Sequence, residues 1–571
     1  MNSIVIALTT GILYLLAYYT YGKYLGRKIF KLNPEKLCPS KALQDNLDYV
    51  PTKKSILFGH HFTSIAGTGP IVGPSIAIIW GWVPAMIWII FGSIFIGAVH
   101  DFGAMVVSLR NQGRSIGDIA GDVINKRIRF LFLTIIFFEL WIVVAIFGVI
   151  IAIVFNMFPQ AVMPVWLEIP IALWLGHMIC KRDAHHLPLS IIALIIMYIT
   201  IVIGTYVPIK LPSIIGINPV GCWVIILLIY AYTASTLPVQ TLLQPRDYIN
   251  SHQLFTILGL LMLGVIFAHP KMVAPAFNLS PNGAPPLWPM LFVVIACGAV
   301  SGFHGLVSSG TSSKQCDTEP SSLPIAYGGM LMEGILAMFV IVACGAGLGI
   351  GLSKGSETLE GVAAFNQHYA SWNDAAGLGS KINAFVIGAA NMIKRVGIPY
   401  DFTITIMGVF LVSFAATTMD TATRLQRYIV SELAVAWSCP KLAKRHPATL
   451  IAVVTAFILA FYNGSGKGAM LLWPLFGVAN QILAGLILLA ITVYLAYKRT
   501  HLAYTTIPMV FVLLMTGWAQ IINLRSFAYN NWLLFYIETG ILIIEIWIVI
   551  ESILVYFKRN KAYCHVGNRK S

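Results

Sequence analysis

Long apolar runs alternate along the chain with short polar and basic segments. Many of the runs exceed the ~18 residues that mark a membrane-spanning helix. The pattern predicts an all-α, polytopic helical membrane protein with about fifteen transmembrane helices. The expected spans are 3–22, 57–79, 83–108, 130–156, 165–180, 188–208, 219–240, 253–269, 287–312, 325–353, 403–430, 447–464, 469–496, 503–523 and 533–556.

Composition and charge agree with a membrane protein and indicate its topology. Of 571 residues, 58% are hydrophobic and only 10% are charged, which leaves too few charges for a water-soluble surface. The net charge of +15 lies mainly in alternate loops, beginning with 23–55. Because basic loops stay in the cytoplasm, we expect an extracytoplasmic N-terminus and a cytoplasmic C-terminus in the cell inner (plasma) membrane.

Several classes of function are disfavoured by the sequence. No basic groove with aromatic platforms is visible, so we expect no nucleic-acid partner. The eight cysteines form no CxxC pair, which argues against a zinc site and a disulfide scaffold. No GxxxxGK[ST] loop for direct ATP drive occurs, and no spacing of acids, histidines and nucleophiles typical of an enzyme is found. We therefore expect no cofactor, no metal and no enzymatic activity.

The stretch 59–74 interrupts one apolar run. Four glycines and two prolines in sixteen residues prevent a continuous helix, because proline lacks the amide proton and crowds the preceding turn. Backbone broken at membrane depth must be satisfied by neighbouring protein, water or a ligand, and transporters use such breaks as binding sites. A kinked helix or a re-entrant packing element is the alternative.

A second break is expected at 296–313. A shift of 243 residues superimposes His61 on His304 and Gly67 on Gly310. The loop charges predict that the two broken spans cross the membrane in opposite directions. This arrangement is typical of an inverted-repeat transporter with a site at the membrane midplane.

The expected span 403–430 carries a cluster of hydroxyl groups. In a leucine-transporter-like order, the helix in this position helps to hold a cation through paired hydroxyls, and Ser413, Thr417 and Thr418 are the candidates here. We therefore expect this span to face the first broken helix. Six expected spans lie between the broken helices, where that fold has four.

Several motifs together resemble the carbon starvation protein A (CstA) family. They are 48–52 (DYVPT), 58–67 (FGHHFTSIAG), 69–74 (GPIVGP), 80–82 (WGW), 97–102 (GAVHDF), 115–117 (SIG) and 473–481 (WPLFGVANQ). The resemblance implies inner-membrane uptake of peptides or pyruvate when carbon is scarce, with pyruvate entry coupled to protons. It also implies membership of the amino acid–polyamine–cation transporters, which agrees with an inverted-repeat core.

Ionisable residues inside spans are costly and are functional candidates by default. His100 and Asp101 are adjacent and can exchange a proton near neutral pH, since a neighbouring carboxylate raises the pKa of histidine. A helix-locking hydrogen bond is the alternative. Glu139 and Glu333 are further candidates for ion or proton coupling, or protonated structural acids.

Other polar positions have two interpretations each. Asp420 and Arg424 share a helix face, so they are expected to pair, either as a cytoplasmic gate or as a stabilising contact. Asp420 is also a candidate for proton coupling. His60 and His61 lack a third metal ligand nearby in the sequence. The segment 354–402 is expected to be an extracytoplasmic lid or a simple solvated loop.

These observations predict a domain plan. The N-terminal part, 1–56, is an extra helix and a basic cytoplasmic loop, and 57–270 is the first half of the transporter core. Residues 287–496 form the second half. The last part, 503–571, contains peripheral helices and a basic tail.

The predicted function is secondary active import of pyruvate or a similar small carboxylate with protons, sodium being the rival ion. Peptide uptake is the alternative, and a non-transporting metabolite sensor is a further one. The expected partners are this small-molecule substrate, the coupling ion and the lipid bilayer. The candidate substrate-binding residues are Ser64, Ala66, Gly67, Thr68, Gly69, Pro70, Ser301, His304, Ser308, Ser309, Gly310 and Thr311.

Overall fold

The computed structural model describes residues 2–182, 185–354 and 357–567, and these residues are predominantly helical. The last four residues of the basic tail, 568–571, lie outside this part. The helices of the first half are α1 (Ser3–Ala17), α2 (Pro39–Ala42), α3 (Lys54–Ile65), α4 (Gly69–Ala77), α5 (Trp82–Gly92), α6 (Ala98–Arg110), α7 (Ile116–Val123), α8 (Lys126–Met157), α9 (Val162–Arg182), α10 (His186–Tyr206), α11 (Pro219–Thr236) and α12 (Leu243–Ala268).

The second half begins with two short helices. Its helices are α13 (Leu287–Val294), α14 (Gly302–Gly310), α15 (Gly328–Val342), α16 (Gly361–His368), α17 (Trp372–Ala375), α18 (Leu378–Lys394), α19 (Tyr400–Ala436), α20 (Arg445–Phe461), α21 (Trp473–Tyr497), α22 (Ala503–Asn530) and α23 (Trp532–Gly567). Strands β1 (Leu352–Lys354) and β2 (Glu357–Leu359) form an antiparallel pair.

Twelve helical stretches of the described residues are long and apolar enough to cross a membrane, and the bent pair of α3 and α4 makes up to thirteen. The chain is therefore a multi-pass membrane protein. The twelve are Ser3–Ile29, Trp82–Arg110, Lys126–Met157, Pro159–Ile179, His186–Tyr206, Pro219–Thr236, Leu243–Ala268, Glu319–Ile350, Tyr400–Ala436, Gly468–Tyr497, Ala503–Asn530 and Trp532–Tyr556.

Two expected spans do not meet that criterion of length. At 447–464 the structure has α20, a helix of 17 residues, and 287–312 is interrupted between α13 and α14. The predicted total of about fifteen is therefore not confirmed, although a helix lies at each of these two positions.

The first predicted break is present between α3 and α4. The two helices are bent by 46°, and residues 66–68 separate them. Pro70 occupies the first turn of α4, where the missing amide proton costs no hydrogen bond. Pro74 lies inside α4, so the helix continues through the second proline.

The second predicted break lies slightly earlier than its small residues indicated. Residues 295–301 are outside any helix, whereas the glycine- and serine-rich run that follows forms α14. The interruption itself was predicted correctly. Its position depends on contacts with α21, which are described below.

The segment 354–402 is largely helical, and this corrects the expectation of a simple solvated loop. Its main helix, α18, buries twelve of its residues and packs against α4, α12 and α19. Gly388 lies so close to the carbonyl oxygen of Ala343 that a Cβ would overlap it. This helix is consequently part of the packed protein.

Burial distinguishes a central group of helices from an outer group. Within the 18 most apolar consecutive residues of each helix, 89% of the residues are buried in α19 and all of them are buried in α21. The corresponding fractions are 33% in α22 and 28% in α23. The outer helices expose large apolar side chains such as Ile507, Leu514 and Ile543. Lipid is the solvent that suits such a surface.

Candidate functional site

The two interrupted stretches contact each other at the centre of the protein. Gly69, at the start of α4, lies against Cys297 so closely that a Cβ would overlap the sulfur. On the other side of the break, His61 Nδ1 lies 2.8 Å from Ser312 Oγ. The two stretches that a shift of 243 residues relates in the sequence are therefore in contact in the folded protein.

The free backbone of the second break is satisfied by side chains of α21. Asn480 Oδ1 accepts hydrogen bonds from the backbone N–H of Phe303 at 2.9 Å and from Ser301 Oγ at 3.1 Å. Gln481 Nε2 donates to the carbonyl oxygens of Phe292 and Val300. Protein groups thus occupy positions that a ligand would otherwise have to fill.

The first break faces α19, as the hydroxyl pattern predicted. Thr418 Oγ1 donates to the carbonyl oxygen of Ser64 at 3.2 Å. Ser64 Oγ lies 3.1 Å from Thr421 Oγ1. Gly67 is required here, because a Cβ at this position would overlap Thr418 Oγ1.

A completely buried group of two histidines and two acids lies beside the breaks, and we call it the histidine cluster. His100 Nδ1 is 2.7 Å from Asp101 Oδ1, and the other Asp101 oxygen is 3.3 Å from His304 Nδ1. His304 Nε2 is in turn 3.3 Å from Glu333 Oε2. The structure therefore brings three predicted coupling residues and one predicted substrate residue together in one buried group, although only the contact between His100 and Asp101 meets the geometry of a hydrogen bond.

A second buried group surrounds an arginine, and we call it the arginine cluster. Its members are His60, Glu168, Tyr230, Arg246, Asp247 and Asp420. Arg246 Nη1 donates to Asp420 Oδ2 at 2.5 Å and to the Tyr230 hydroxyl at 2.5 Å, and this hydroxyl donates to Asp420 Oδ2 at 2.9 Å. Asp420 is thus held by α11 and α12.

The remaining acids of the arginine cluster are held less completely. Asp247 Oδ2 lies 2.5 Å from His60 Nδ1, and its other oxygen is 3.6 Å from the Arg246 guanidinium. Ser413 Oγ donates to Glu168 Oε2 at 2.9 Å, whereas Glu168 Oε1 is 3.8 Å from Arg246 Nε. The arginine thus faces three carboxyl groups.

Two of the hydroxyl candidates on α19 belong to this cluster. Thr417 Oγ1 accepts from Arg246 Nη2 at 3.1 Å and from Asn250 Nδ2 at 3.2 Å. Ser413 holds Glu168 as described, so Thr418 is the candidate that contacts the broken helix. All three side chains are buried, so none faces lipid.

The predicted pair of Asp420 and Arg424 is wrong. Arg424 Nη1 donates to Asp48 Oδ1 at 2.8 Å, and Arg427 donates to both oxygens of the same carboxylate. Burial alone would raise the pKa of Asp48, but the two arginines and Lys314 lower it to about 2. This network joins the loop after α2 to the end of α19.

The other predicted site residues are buried in their own surroundings. Among the described residues, the Glu139 carboxyl and Ser308 Oγ have no hydrogen-bond partner. Ser309 Oγ donates to the carbonyl oxygen of Gly305, and Thr311 accepts from Gln315. Thr68 lies in the first break, and Pro70 follows it in the first turn of α4.

Sequence reasoning missed Arg246, Asp247 and Glu168. Glu168 lies inside an expected span, so the cost of an acid at membrane depth was the signal that could have identified it. The arginine and its neighbour were assigned to the loop before the expected span 253–269, whereas α12 begins at Leu243. Among the described residues, no group of three or more histidines, cysteines and acids has the geometry to hold a metal ion.

Comparison with known proteins places the chain in a family. The family model described as carbon starvation protein CstA matches residues 2–519. The chain belongs to the CstA family. Its motif 473–481 supplies the two side chains of α21 that satisfy the backbone of the second break.

Relatives within the CstA family have two kinds of name. The chain is 32% identical to the peptide transporter CstA of Escherichia coli, over 91% of its own length and 81% of that protein. It is 30% identical to the peptide transporter CstA of Campylobacter jejuni, over 93% and 82% of the two lengths. It is 31% identical to the pyruvate/proton symporter BtsT of Escherichia coli, over 90% and 81%.

A solved manganese transporter of Eremococcus coleocola aligns over 90% of this chain and 99% of its own, at 13% identity and a TM-score of 0.39. This likeness is too low to support an argument about fold or function.

Proposed function

We propose that the chain is a secondary active transporter of the cell inner membrane that imports pyruvate or a similar small carboxylate together with protons when carbon is limiting. The single observation that carries the proposal is the chain's membership of a family whose named relatives are transporters, one of them a pyruvate/proton symporter. The two buried clusters of titratable groups support coupling to protons, since such groups at membrane depth mark ion and proton pathways.

The proposed architecture is an inverted repeat. One half is 57–270, with the broken span 57–79, and the other is 287–496, with the broken span 287–312. Residues 1–56 and 503–571 are additions outside this core, and the basic loops put the N-terminus outside the cytoplasm and the C-terminus inside. The contact between Gly69 and Cys297 supports a core built on the two breaks.

In the proposed mechanism, the histidine cluster carries the coupling proton. Each step from His100 through Asp101 and His304 to Glu333 spans 3.3 Å or less. Alternating access would expose opposite ends of this chain in turn. The polar groups next to the breaks, among them the hydroxyl groups of Ser64, Thr68 and Ser308, are proposed to contact the substrate on its path through the protein.

Peptide uptake is the second candidate, because most of the named relatives cited above are peptide transporters. A peptide needs a partner for its amino group as well as for its carboxylate. Asp420 is poorly suited to this role, since Arg246 already holds it. Glu139 is the better candidate, because its buried carboxyl group has no hydrogen-bond partner among the described residues.

The test is uptake by proteoliposomes that contain the purified chain. We expect labelled pyruvate to accumulate when the outside is acidic, and a protonophore to abolish the accumulation. Replacing sodium by potassium should leave uptake unchanged. Accumulation of a labelled dipeptide without that of pyruvate would assign the peptide function instead. A chain that binds these compounds but takes up neither would be a sensor.

A further inference from the structure

We infer that Arg246 is the residue that binds the carboxylate of the substrate, in a cavity between α8, α9, α11, α12 and α19. This inference rests on the proposed function, and it assigns the substrate class to small monocarboxylates. It also makes Glu168 the group that competes with the substrate for the arginine. None of these roles was expected from the sequence.

The cavity offers two free donors to an anion. It is lined by Trp166, Tyr230, Glu168 and Arg246 together with apolar side chains. Arg246 Nε and Trp166 Nε1 are both buried N–H groups that have no hydrogen-bond partner in the part of the chain that the structure describes. Because a buried donor without a partner is unfavourable, such donors on residues that line a cavity indicate a ligand or a water molecule that pairs with them.

The acceptor that faces these donors is also incompletely paired. Within the described ranges, Glu168 Oε1 has no hydrogen-bond partner, and it is 3.8 Å from Arg246 Nε, too far for a direct hydrogen bond. Its other oxygen accepts from Ser413 Oγ. Asp247 Oδ1 is likewise unpaired among the described residues, but the Asp247 carboxylate lies 2.5 Å from His60 and 3.6 Å from the arginine. The contacts of Glu168 are longer, so Glu168 is the acid that a second carboxylate can replace at the arginine.

The charges explain why this replacement involves a proton. Arg246 already faces Asp420 at 2.5 Å and Asp247 at 3.6 Å, and His60 is the other basic group of the cluster. Tyr230 is the neutral polar member of the cluster, and Ser413 and Asn250 are the neutral polar groups next to Glu168. A substrate anion would add a fourth negative group to this low-dielectric site, which is unfavourable. If Glu168 takes a proton at the same time, the net charge of the cluster stays the same.

The cavity also limits the size of the substrate. Its volume is about 20 Å³, which accommodates about one water molecule, so the structure corresponds to a closed state. A three-carbon acid therefore requires this cavity to widen. The apolar walls, which include Phe155, Val165 and Leu227, suit the methyl end of such an acid.

The experiment measures binding of labelled pyruvate to the detergent-solubilised full chain between pH 6 and pH 8. If one proton enters with the anion, the wild-type Kd rises up to tenfold for each pH unit above the pKa of Glu168. Glu168→Gln removes the competitor and the titrating group. We expect this variant to bind pyruvate at least as tightly as the wild type at pH 6, with a Kd that stays constant to pH 8.

Two further variants separate this role from a structural one. Arg246→Gln combined with Asp420→Asn keeps the charge balanced, and it should lower pyruvate affinity at least 100-fold while the protein stays monodisperse. Glu545→Gln changes another buried acid on α23, and it should keep the wild-type pH dependence. If Glu168 has only a structural role, Glu168→Gln should either bind pyruvate more weakly than the wild type or behave like the wild type.

Three results would overturn the inference. The first is a Glu168→Gln variant that keeps the wild-type pH dependence of pyruvate binding, and the second is a double variant that keeps the wild-type affinity for pyruvate. The third is a dipeptide that binds Glu168→Gln more weakly than the wild type, because Glu168 would then hold the amino group of the dipeptide. The proteoliposome assay separates these results from failure of the proposed function. A wild-type chain that accumulates pyruvate while these variants bind it normally would contradict only the role of Arg246 and Glu168.

Discussion

Removing the positive charge of Arg246 should destabilise the protein more than removing any single acid around it. Arg246→Met leaves Asp420 with only the Tyr230 hydroxyl as a donor, and it leaves Asp247 dependent on His60. Breaking a buried ion pair by removing one partner costs about 3–5 kcal/mol. We expect a loss in this range for the free energy of unfolding.

Asp420→Asn should cost less, about 1–3 kcal/mol. The asparagine can still accept from Tyr230, and Arg246 keeps Asp247 and Glu168 within 4 Å. Arg246→Met combined with Asp420→Asn should lose less than the two single variants together, because neither charge is then left without its partner. The expected coupling energy is about 2 kcal/mol.

The assay is unfolding of the purified chain by SDS in mixed micelles, followed by far-UV circular dichroism, for the wild type and the three variants at one pH. Arg424→Met serves as a comparison, since Arg424 pairs with Asp48 and should show no coupling to Asp420→Asn. Strict additivity of Arg246→Met and Asp420→Asn would refute the reasoning. Coupling between Asp420 and Arg424 would restore the pair that the sequence predicted.

Three other outcomes are expected. Gly67→Leu should abolish uptake but not membrane insertion, because a side chain there meets α19, whereas Gly517→Leu, in open space, should keep normal uptake. Asp101→Asn should stop uphill accumulation but spare substrate exchange, which needs no net proton movement; full pH-driven accumulation would contradict this. Asp48, whose pKa is lowered from 3.8 to about 2, should contribute about 2 kcal/mol above pH 4, lost as the pH falls to 2. Asp48→Asn should therefore be less stable than the wild type at pH 7 and equally stable at pH 2, as measured by thermal melting.

The sequence by itself determined the features that depend on local composition. Apolar runs of sufficient length specify membrane helices, because lipid satisfies no backbone group. Glycine and proline at 66–70 specify the first break for the same local reason. Hydroxyl groups on one helix face also indicated correctly that α19 would approach the broken helix.

Only the tertiary structure decided which polar groups meet. The sequence offered Arg424 as the partner of Asp420, four positions away, but the partner is Arg246, 174 positions away. Arg424 instead pairs with Asp48, at a separation of 376. Spacing on one helix shows which side chains share a face, but the strength of a buried ion pair depends on distances between helices that packing alone fixes.

The same reason applies to the second break and to α18. The interruption at 295–301 lies where Asn480 and Gln481 replace the missing helical hydrogen bonds, and these donors and acceptors come from a distant helix. The polar composition of 354–402 indicated a loop, yet α18 is buried because α4, α12 and α19 surround it. The composition of a segment shows which of its backbone and side-chain groups need partners. The residues that pack against the segment in the folded protein provide those partners.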